Sequence, residues 1–274
     1  MSLIPEIKEQ QSVELLKALH ILTRDGKINQ DSRRKLKQVY HLYNFIEPLM
    51  LKVLEEQKQL VLVDHGAGKS YLGFILYDLL LKNHPEAHVY GIEFREQLVK
   101  SSEALAQKLG FSDGMSFKAM SVEEAMSSTD IPAKVDITTA LHACDTATDD
   151  AIRFALERQS KYIVLVPCYQ AEVAAHLRKK KGVALRESSL AEIWRHPIHT
   201  REFGSHITNV LRCLQLEARG YQVTVTELVG WEHSMKNELI IARKVARYKD
   251  SARKRQLDIM KELGLEDMTE RFAY

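Results

Sequence analysis

Residues able to do chemistry gather just after short apolar runs in this chain. The first such run, Leu60 to Asp64, leads into Asp64-His65-Gly66-Ala67-Gly68-Lys69-Ser70-Tyr71. Gly68-Lys69-Ser70 invites a phosphate-cradle reading. That loop needs a glycine five residues before the second one, and Val63 stands there. A dinucleotide fingerprint needs Gly or Ala at the position of Tyr71. What remains is an acid at a strand end followed by Gly-x-Gly. Asp64 would repel a pyrophosphate but not a cationic or zwitterionic ligand, and the small residues 66–68 let backbone approach it closely. The next apolar run ends in Glu93, 29 residues after Asp64, where a carboxylate can hold two ribose hydroxyls. The pair suits a nucleoside carrying a charged amino-acid tail rather than a phosphate chain.

S-adenosylmethionine is such a ligand, and the later strand ends offer groups that could act on its acceptor. His142, Cys144 and Asp145 follow the fourth apolar run, and Cys168 follows the fifth. His142 can take a proton from a hydroxyl or amine; its alternative is a turn histidine bonded to backbone. Asp145 opens a helical segment, so its alternative is an N-cap. Cys144 and Cys168 end neighbouring strands, where a thiolate of lowered pKa could attack a pyrimidine. Their alternative is packing in tight turns. His142, Asp145 and Cys168 are the catalytic candidates. Lys236, Asn237 and Lys69 are further polar groups that could face a substrate or the cofactor carboxylate. His65, His142, Cys144 and Cys168 lack any Cys-x-x-Cys spacing, and no metal is expected.

The elements that must position these groups follow from periodicity. Leu15, Leu19 and Leu22, then Leu36, Val39, Tyr40, Tyr43, Ile46 and Met50, recur at helical spacing, and Pro48 is expected to kink or end the second helix. From Leu60 onward strands alternate with helices. Strands are expected at 60–64, 88–93, 115–119, 135–141 and 161–166. Helices are expected at 69–82, 95–109 (ending at Gly110, a C-cap), 146–158, 171–180 and 203–219. Segments 221–228 and 238–244 read as an antiparallel pair, and the remainder as a basic helix and tail. Such alternation predicts an α/β fold: a mostly parallel, Rossmann-like sheet of seven strands with an N-terminal helical cap. Expected divisions are a cap over 1–57, a cofactor-binding domain over 58–246 and a basic C-terminal helix or tail over 247–274.

Composition bounds the rest. With 274 residues, 45% hydrophobic and 28% charged, the chain can bury a sizeable core, which excludes disorder. Three cysteines, Cys144, Cys168 and Cys213, are too few and scattered for a disulfide framework. The N-terminus shows no signal peptide, and the longest apolar stretch, Tyr71 to Leu81, contains Asp78 and is about half the ~20 residues of a membrane span. A soluble, cytoplasmic protein is expected. Net charge is only +2, but basic residues cluster at Arg33, Arg34, Lys35 and Lys37, at Arg178 to Lys181, and between Arg243 and Arg255. Such clusters either grip phosphates or form solvated helix faces. A seven-residue strand spans ~23 Å, so the last cluster could begin on the far side of the sheet.

The segment VDHGAGKSYLGFILYDLL resembles motif I of class I SAM-dependent methyltransferases, in the branch reading V-D-x-G-C-G-K-x-Y-L-[ST]-F-x-L-Y. LHACDTATDDAI resembles that branch's L-H-A-C-D-T-A-T-D, IVLVPCYQAEV its V-P-C-C-Q-H-E-L, and VGWEHSMKNELIIARK its E-H-T-P-K-N-x-x-I-R-A-x-K. RKLKQVYHLYNFIEPL is similar to the helix before those motifs, so the likeness runs over about residues 33 to 246. The branch is similar to methyltransferase-like proteins and to an acceptor-stem tRNA 2′-O-methyltransferase. Ala67 stands for a cysteine, Tyr169 for the second cysteine of a pair, and Ser234-Met235 for Thr-Pro; the second change argues against chemistry needing adjacent thiols. The resemblance implies S-adenosylmethionine as cofactor, held by Asp64, Gly66, Ala67, Gly68, Lys69, Tyr71, Glu93, Phe94, Ser121, Val122, Leu141, His142 and Ala143. It also implies RNA, ribosomal or transfer, as partner. The alternatives are a small-molecule or protein acceptor, and an idle SAM-binding module.

Overall fold

The computed structural model describes residues 6–141, 146–168, 170–180, 189–228, 238–245 and 248–272. Two helices come first, α1 (Val13–Ala18) and α2 (Gln30–Glu56). Helix α2 is continuous through Pro48, contrary to the expected break. Proline removes one hydrogen bond, but Leu42, Ile46, Met50 and Val53 are buried on both sides of it and keep the helix on the core.

Then β1 (Leu60–His65), α3 (Tyr71–Leu79), β2 (Ala87–Glu93), α4 (Glu96–Leu109), β3 (Met115–Ala119) and α5 (Val122–Ser127) follow. The expected helix over 69–82 is shorter. Ser70 sits at φ 50, so regular helix starts only at Tyr71, and its last turn is a separate 3-10 segment, Leu81–Asn83. Gly110 caps α4 at φ 71, as read from sequence. The second half comprises β4 (Ile137–Leu141), α6 (Thr146–Glu157), β5 (Tyr162–Val166), α7 (Glu172–Lys180), α8 (Pro197–Ala218), β6 (Tyr221–Glu227), β7 (Glu238–Lys244), α9 (Asp250–Glu262) and α10 (Thr269–Phe272). Helix α8 begins six residues earlier than expected, on Pro197, which suits a first-turn position.

The sheet has seven strands in the order β3-β2-β1-β4-β5-β7-β6. Strands β1 to β5 are parallel, and β7 runs antiparallel to both β5 and β6. This is the expected mostly parallel Rossmann-like sheet. The chain steps outward from β1 to β3, then returns to the other side of β1, so strand order reverses between β1 and β4. Ligands bind at such a reversal, beyond the strand carboxyl ends.

One core cluster joins α1, α2 and α3 to Leu60, Leu62, Val89, Ile137, Val164 and Val166, so the N-terminal helices share their apolar contacts with the sheet. The opposite face packs Val63 and Ile92 against α5 and α6, and Ile163, Leu165 and Ile240 against α6 and α8. The last helices are not a loose tail. Met260, Leu265, Met268 and Phe272 pack on Val173, Leu177 and Leu211 of α7 and α8.

Because β7 is antiparallel, its end lies at the amino ends of the parallel strands. Arg243 pairs with Tyr162, and Lys244 N–H donates to Lys161 O at 2.9 Å. Lys249 N–H then reaches Ala218 O at 2.7 Å, and Arg255 pairs with Glu217 at 2.8 Å, both at the end of α8 beside the start of β6. The described basic residues between Arg243 and Arg255 therefore sit at the end of the sheet away from the strand carboxyl ends. No described helix is long and apolar enough to cross a membrane.

Candidate active site

The loop after β1 turns tightly. Gly66 and Gly68 have φ of 62 and 58, and Ser70 has 50, with the residues between them on the negative side. A side chain at 66 or 68 would be strained, which explains the glycines. Ala67 N–H donates to Ile92 O at 3.0 Å, and Gly68 N–H to Glu93 Oε2 at 2.8 Å, so the loop is bound to the end of β2.

A cavity of about 340 Å³ opens beside this loop. Asp64, Gly66, Ala67, Gly68, Lys69, Tyr71 and Leu141, all expected from sequence, line it together. Asp64 is buried, and the hydroxyl of Thr139 on the adjoining strand β4 donates to its Oδ1 at 2.6 Å. Burial pushes the Asp64 carboxyl up to about 7, and the Thr139 bond pulls the other way without cancelling it. Neighbouring His65 is not part of the cavity wall. Its ring meets Phe154 edge-on at 4.4 Å, and burial pushes it down to about 3, so it is neutral at physiological pH.

Glu93 lies just beyond this wall. Arg95 donates to its Oε1 through N–H at 3.1 Å and Nε at 2.7 Å. Burial alone would raise the Glu93 pKa. Arg95 and the Gly68 amide overcome that and hold it below the usual carboxylate range. Phe94 is 79% exposed, an unpaired aromatic face at the strand end. Ser121 caps α5, with Oγ accepting from Glu124 N–H at 3.2 Å and its own N–H donating to Glu124 Oε2 at 2.7 Å. Val122 packs against the Val63 and Ile92 cluster. Neither Ser121 nor Val122 is part of the cavity wall.

Cys168 is half-buried, two residues past β5. His142, Ala143, Cys144 and Asp145 lie outside the described residues, as do Tyr169, Lys236 and Asn237. Among the described residues, no group of His, Cys, Asp and Glu side chains could hold a metal ion.

Several wall residues escaped the sequence reading. Lys35, Gln38, Val39 and Leu42, all on α2, close the cavity from above the glycine loop, and Leu72 and Leu228 complete its apolar side. The Lys35 ammonium stands 3.4 Å from the Tyr71 ring centroid. Their spacing of three and four was visible as a helix face. What it packs on was not.

The cavity thus offers one buried carboxylate, two lysines, close backbone and apolar walls, with a second carboxylate and an aromatic ring next to it. A family model described as a methyltransferase domain matches residues 34–176. A search of curated proteins returns no match. Among solved structures, the chain is similar to magnesium protoporphyrin IX methyltransferase from Synechocystis PCC 6803, with 16% identity over 84% of this chain and 94% of that one, TM-score 0.48. It is also similar to an rRNA methylase from Streptococcus thermophilus, with 13% identity over 69% and 89%, TM-score 0.42. A third likeness is to precorrin-6y C5,15-methyltransferase from Geobacter metallireducens, with 18% identity over 86% and 100%, TM-score 0.43.

Proposed function

The chain belongs to the methyltransferase-domain family, and on that footing we propose that it transfers a methyl group from S-adenosylmethionine to an RNA acceptor. The observation that carries the cofactor half of this reading is the joint between Glu93 and the glycine loop. Gly68 N–H and the Glu93 carboxylate are bonded at 2.8 Å, beside a cavity that holds buried Asp64. A nucleoside with an amino-acid tail fits that donor set. Glu93 accepts the ribose hydroxyls, exchanging its exposed Arg95 partner for them. Phe94 lies against the base. Asp64 accepts from the amino group, and Lys35 and Lys69 hold the carboxylate. Bound there, S-adenosylmethionine supplies a methyl group on a positive sulfonium.

The chain's own residues then orient and exclude. Val39, Leu42, Leu72, Leu141 and Leu228 keep water from the cavity. His142, next in the chain after Leu141, takes the acceptor's proton when the nucleophile is a hydroxyl or amine. Cys168 acts by packing, with no covalent step assigned to it.

The RNA reading is supported by α2, whose Arg33, Arg34 and Lys37 are exposed on the same helix that lines the cavity with Lys35 and Gln38. The apolar closure by Val39 and Leu42 favours a second reading, a small acceptor enclosed under α2. Tritiated S-adenosylmethionine with total RNA, protein extract and metabolites as separate acceptors tests both. Label in RNA supports the first reading and label confined to metabolites the second. Label in no fraction sinks the activity.

A further inference from the structure

A buried polar cluster lies behind the acceptor side of the site, and the cofactor reading does not use it. Arg212, in the middle of α8, is completely buried. Its Nε and Nη2 donate to the two oxygens of Asp149 at 2.7 and 2.9 Å, a planar fork on a carboxylate. Its Nη1 donates to Gln170 Oε1, and to Asn209 Oδ1 at 3.2 Å. Asn209 Nδ2 donates in turn to Glu238 Oε2 at 2.6 Å. Gln170 Nε2 donates to Ser205 O and Oγ at 3.0 and 3.1 Å. From the chain's last helix, Arg271 Nε donates to Asp149 Oδ2 at 2.8 Å, and its guanidinium also pairs with Glu172.

The places of these partners matter. Asp149 is in the first turn of α6, after β4. Gln170 stands between β5 and α7. Glu238 is the first residue of β7. One guanidinium therefore holds the first turn of α6 and the segment between β5 and α7 directly, and the first residue of β7 through Asn209, on the acceptor side of the strand reversal. Burying charges costs several kcal/mol per ion, and a well-packed apolar replacement is often as stable. Added stability is thus a poor account of the cluster. A rigid fork with fixed bond directions supplies geometry instead.

We propose that Arg212 is a positioning residue for methyl transfer. It sets the relative places of the first turn of α6, of Gln170 and of the start of β7 beside the acceptor, and Arg271 locks the same carboxylate from outside. This rests on the methyltransferase reading above. A scaffold with this role affects how the acceptor meets the methyl group and leaves the glycine-loop half of the site alone.

The test compares Arg212→Lys, which keeps the charge and loses the fork, with Arg271→Gln and Arg271→Lys. Three readouts are taken on the full chain: affinity for S-adenosylhomocysteine, turnover and KM with the acceptor labelled above, and backbone hydrogen exchange. Arg212→Lys is expected to lower turnover about 10²-fold, the scale of a 1 Å misplacement. Affinity for S-adenosylhomocysteine should stay within about threefold. Exchange should rise in residues 146–150, 167–171 and 238–241 but not in 60–68. Arg271→Gln should do the same by about tenfold, and Arg271→Lys should recover most of it. Turnover and product affinity falling by one common factor, or no change in either, would overturn the proposal. If Arg212→Lys fails to fold, the two Arg271 variants decide by the same criteria. If the native chain does not bind S-adenosylhomocysteine, the methyltransferase reading fails separately. The exchange pattern then decides the positioning claim: a selective rise at those three segments supports it, and a uniform rise or none refutes it.

Discussion

The β1–β2–β3 side of the sheet and the β4–β5–β7 side hold their parts of the site by different means. On the first side backbone dominates. Two left-handed glycines turn the loop, its amides bond to the end of β2, and Glu93 is joined to Gly68 N–H. On the second side long-range side chains dominate. Arg212 reaches Asp149, 63 residues away, and Arg271 reaches the same carboxylate from 122 residues away. A backbone cradle accepts one ligand of fixed shape. A side-chain scaffold can change its acceptor while the strands stay put. The contrast predicts that damage on one side appears in cofactor affinity and damage on the other in turnover.

The strongest break of that contrast is expected at His142. His142→Ala should lower turnover by ~10²-fold or more if it takes the acceptor's proton, with cofactor affinity unchanged. Steady-state kinetics beside calorimetry checks this, and a parallel loss of affinity would move His142 to the other side of the comparison. Glu93→Ala should do the reverse. It should weaken S-adenosylmethionine by ~1.5–3 kcal/mol through loss of charge-assisted bonds to ribose. Unchanged affinity would remove Glu93 from the site.

How much of this was readable in advance follows the same division. Asp64, the small residues 66–68 and Glu93 were legible from local spacing at two strand ends, and Tyr71 only through the resemblance. Closure by Lys35 and Gln38 was not readable, because periodicity tells which face of α2 is apolar and not what it rests on. Arg212 was not readable either. It sits in a helix of ordinary amphipathic pattern, and nothing local marks its burial. Pro48 misled for the complementary reason: a local rule about one missing hydrogen bond lost to the burial of four apolar side chains around it.

Acidity sharpens the comparison at smaller scale. Asp64 titrates at about 7 in the folded chain against 3.8 ordinarily. Between those values the folded state keeps a proton that the unfolded state has lost, so stability falls as pH rises through the interval and levels off above about 7. Asp64→Asn should remove that loss, giving a variant that outlasts the native chain in urea at pH 8 but not at pH 4. Equal differences at both pH values would show that Asp64 is not held protonated by burial. The cationic end of the cofactor should draw the proton off, so binding should release protons near pH 6. Calorimetry in buffers of different ionisation heat would register this.

Of the three basic regions, the one at Arg33 to Lys37 and the described part of the one between Arg243 and Arg255 lie at opposite ends of the sheet, and they give a further test of the RNA reading. With a salt slope near −0.7 per phosphate on single strands, replacing Arg33, Arg34 and Lys37 with Ser should flatten the log–log dependence of RNA affinity by about two units. Changing Arg253, Lys254 and Arg255 should leave it nearly unchanged. The opposite ranking would place RNA at the far end and favour a small acceptor under α2. The smallest effect is expected at Cys168. Cys168→Ser should leave turnover nearly intact, and a folded but inactive variant would revive a covalent pyrimidine mechanism.

The cofactor claim underlies every other, and one titration tests it most directly. S-adenosylhomocysteine is titrated into the full chain by calorimetry, with NAD and ATP as controls. A single saturable site for S-adenosylhomocysteine and no heat from NAD or ATP is the predicted result. Binding of ATP or NAD in its place, or no binding of S-adenosylhomocysteine, would contradict the assignment of Asp64, Glu93 and the glycine loop.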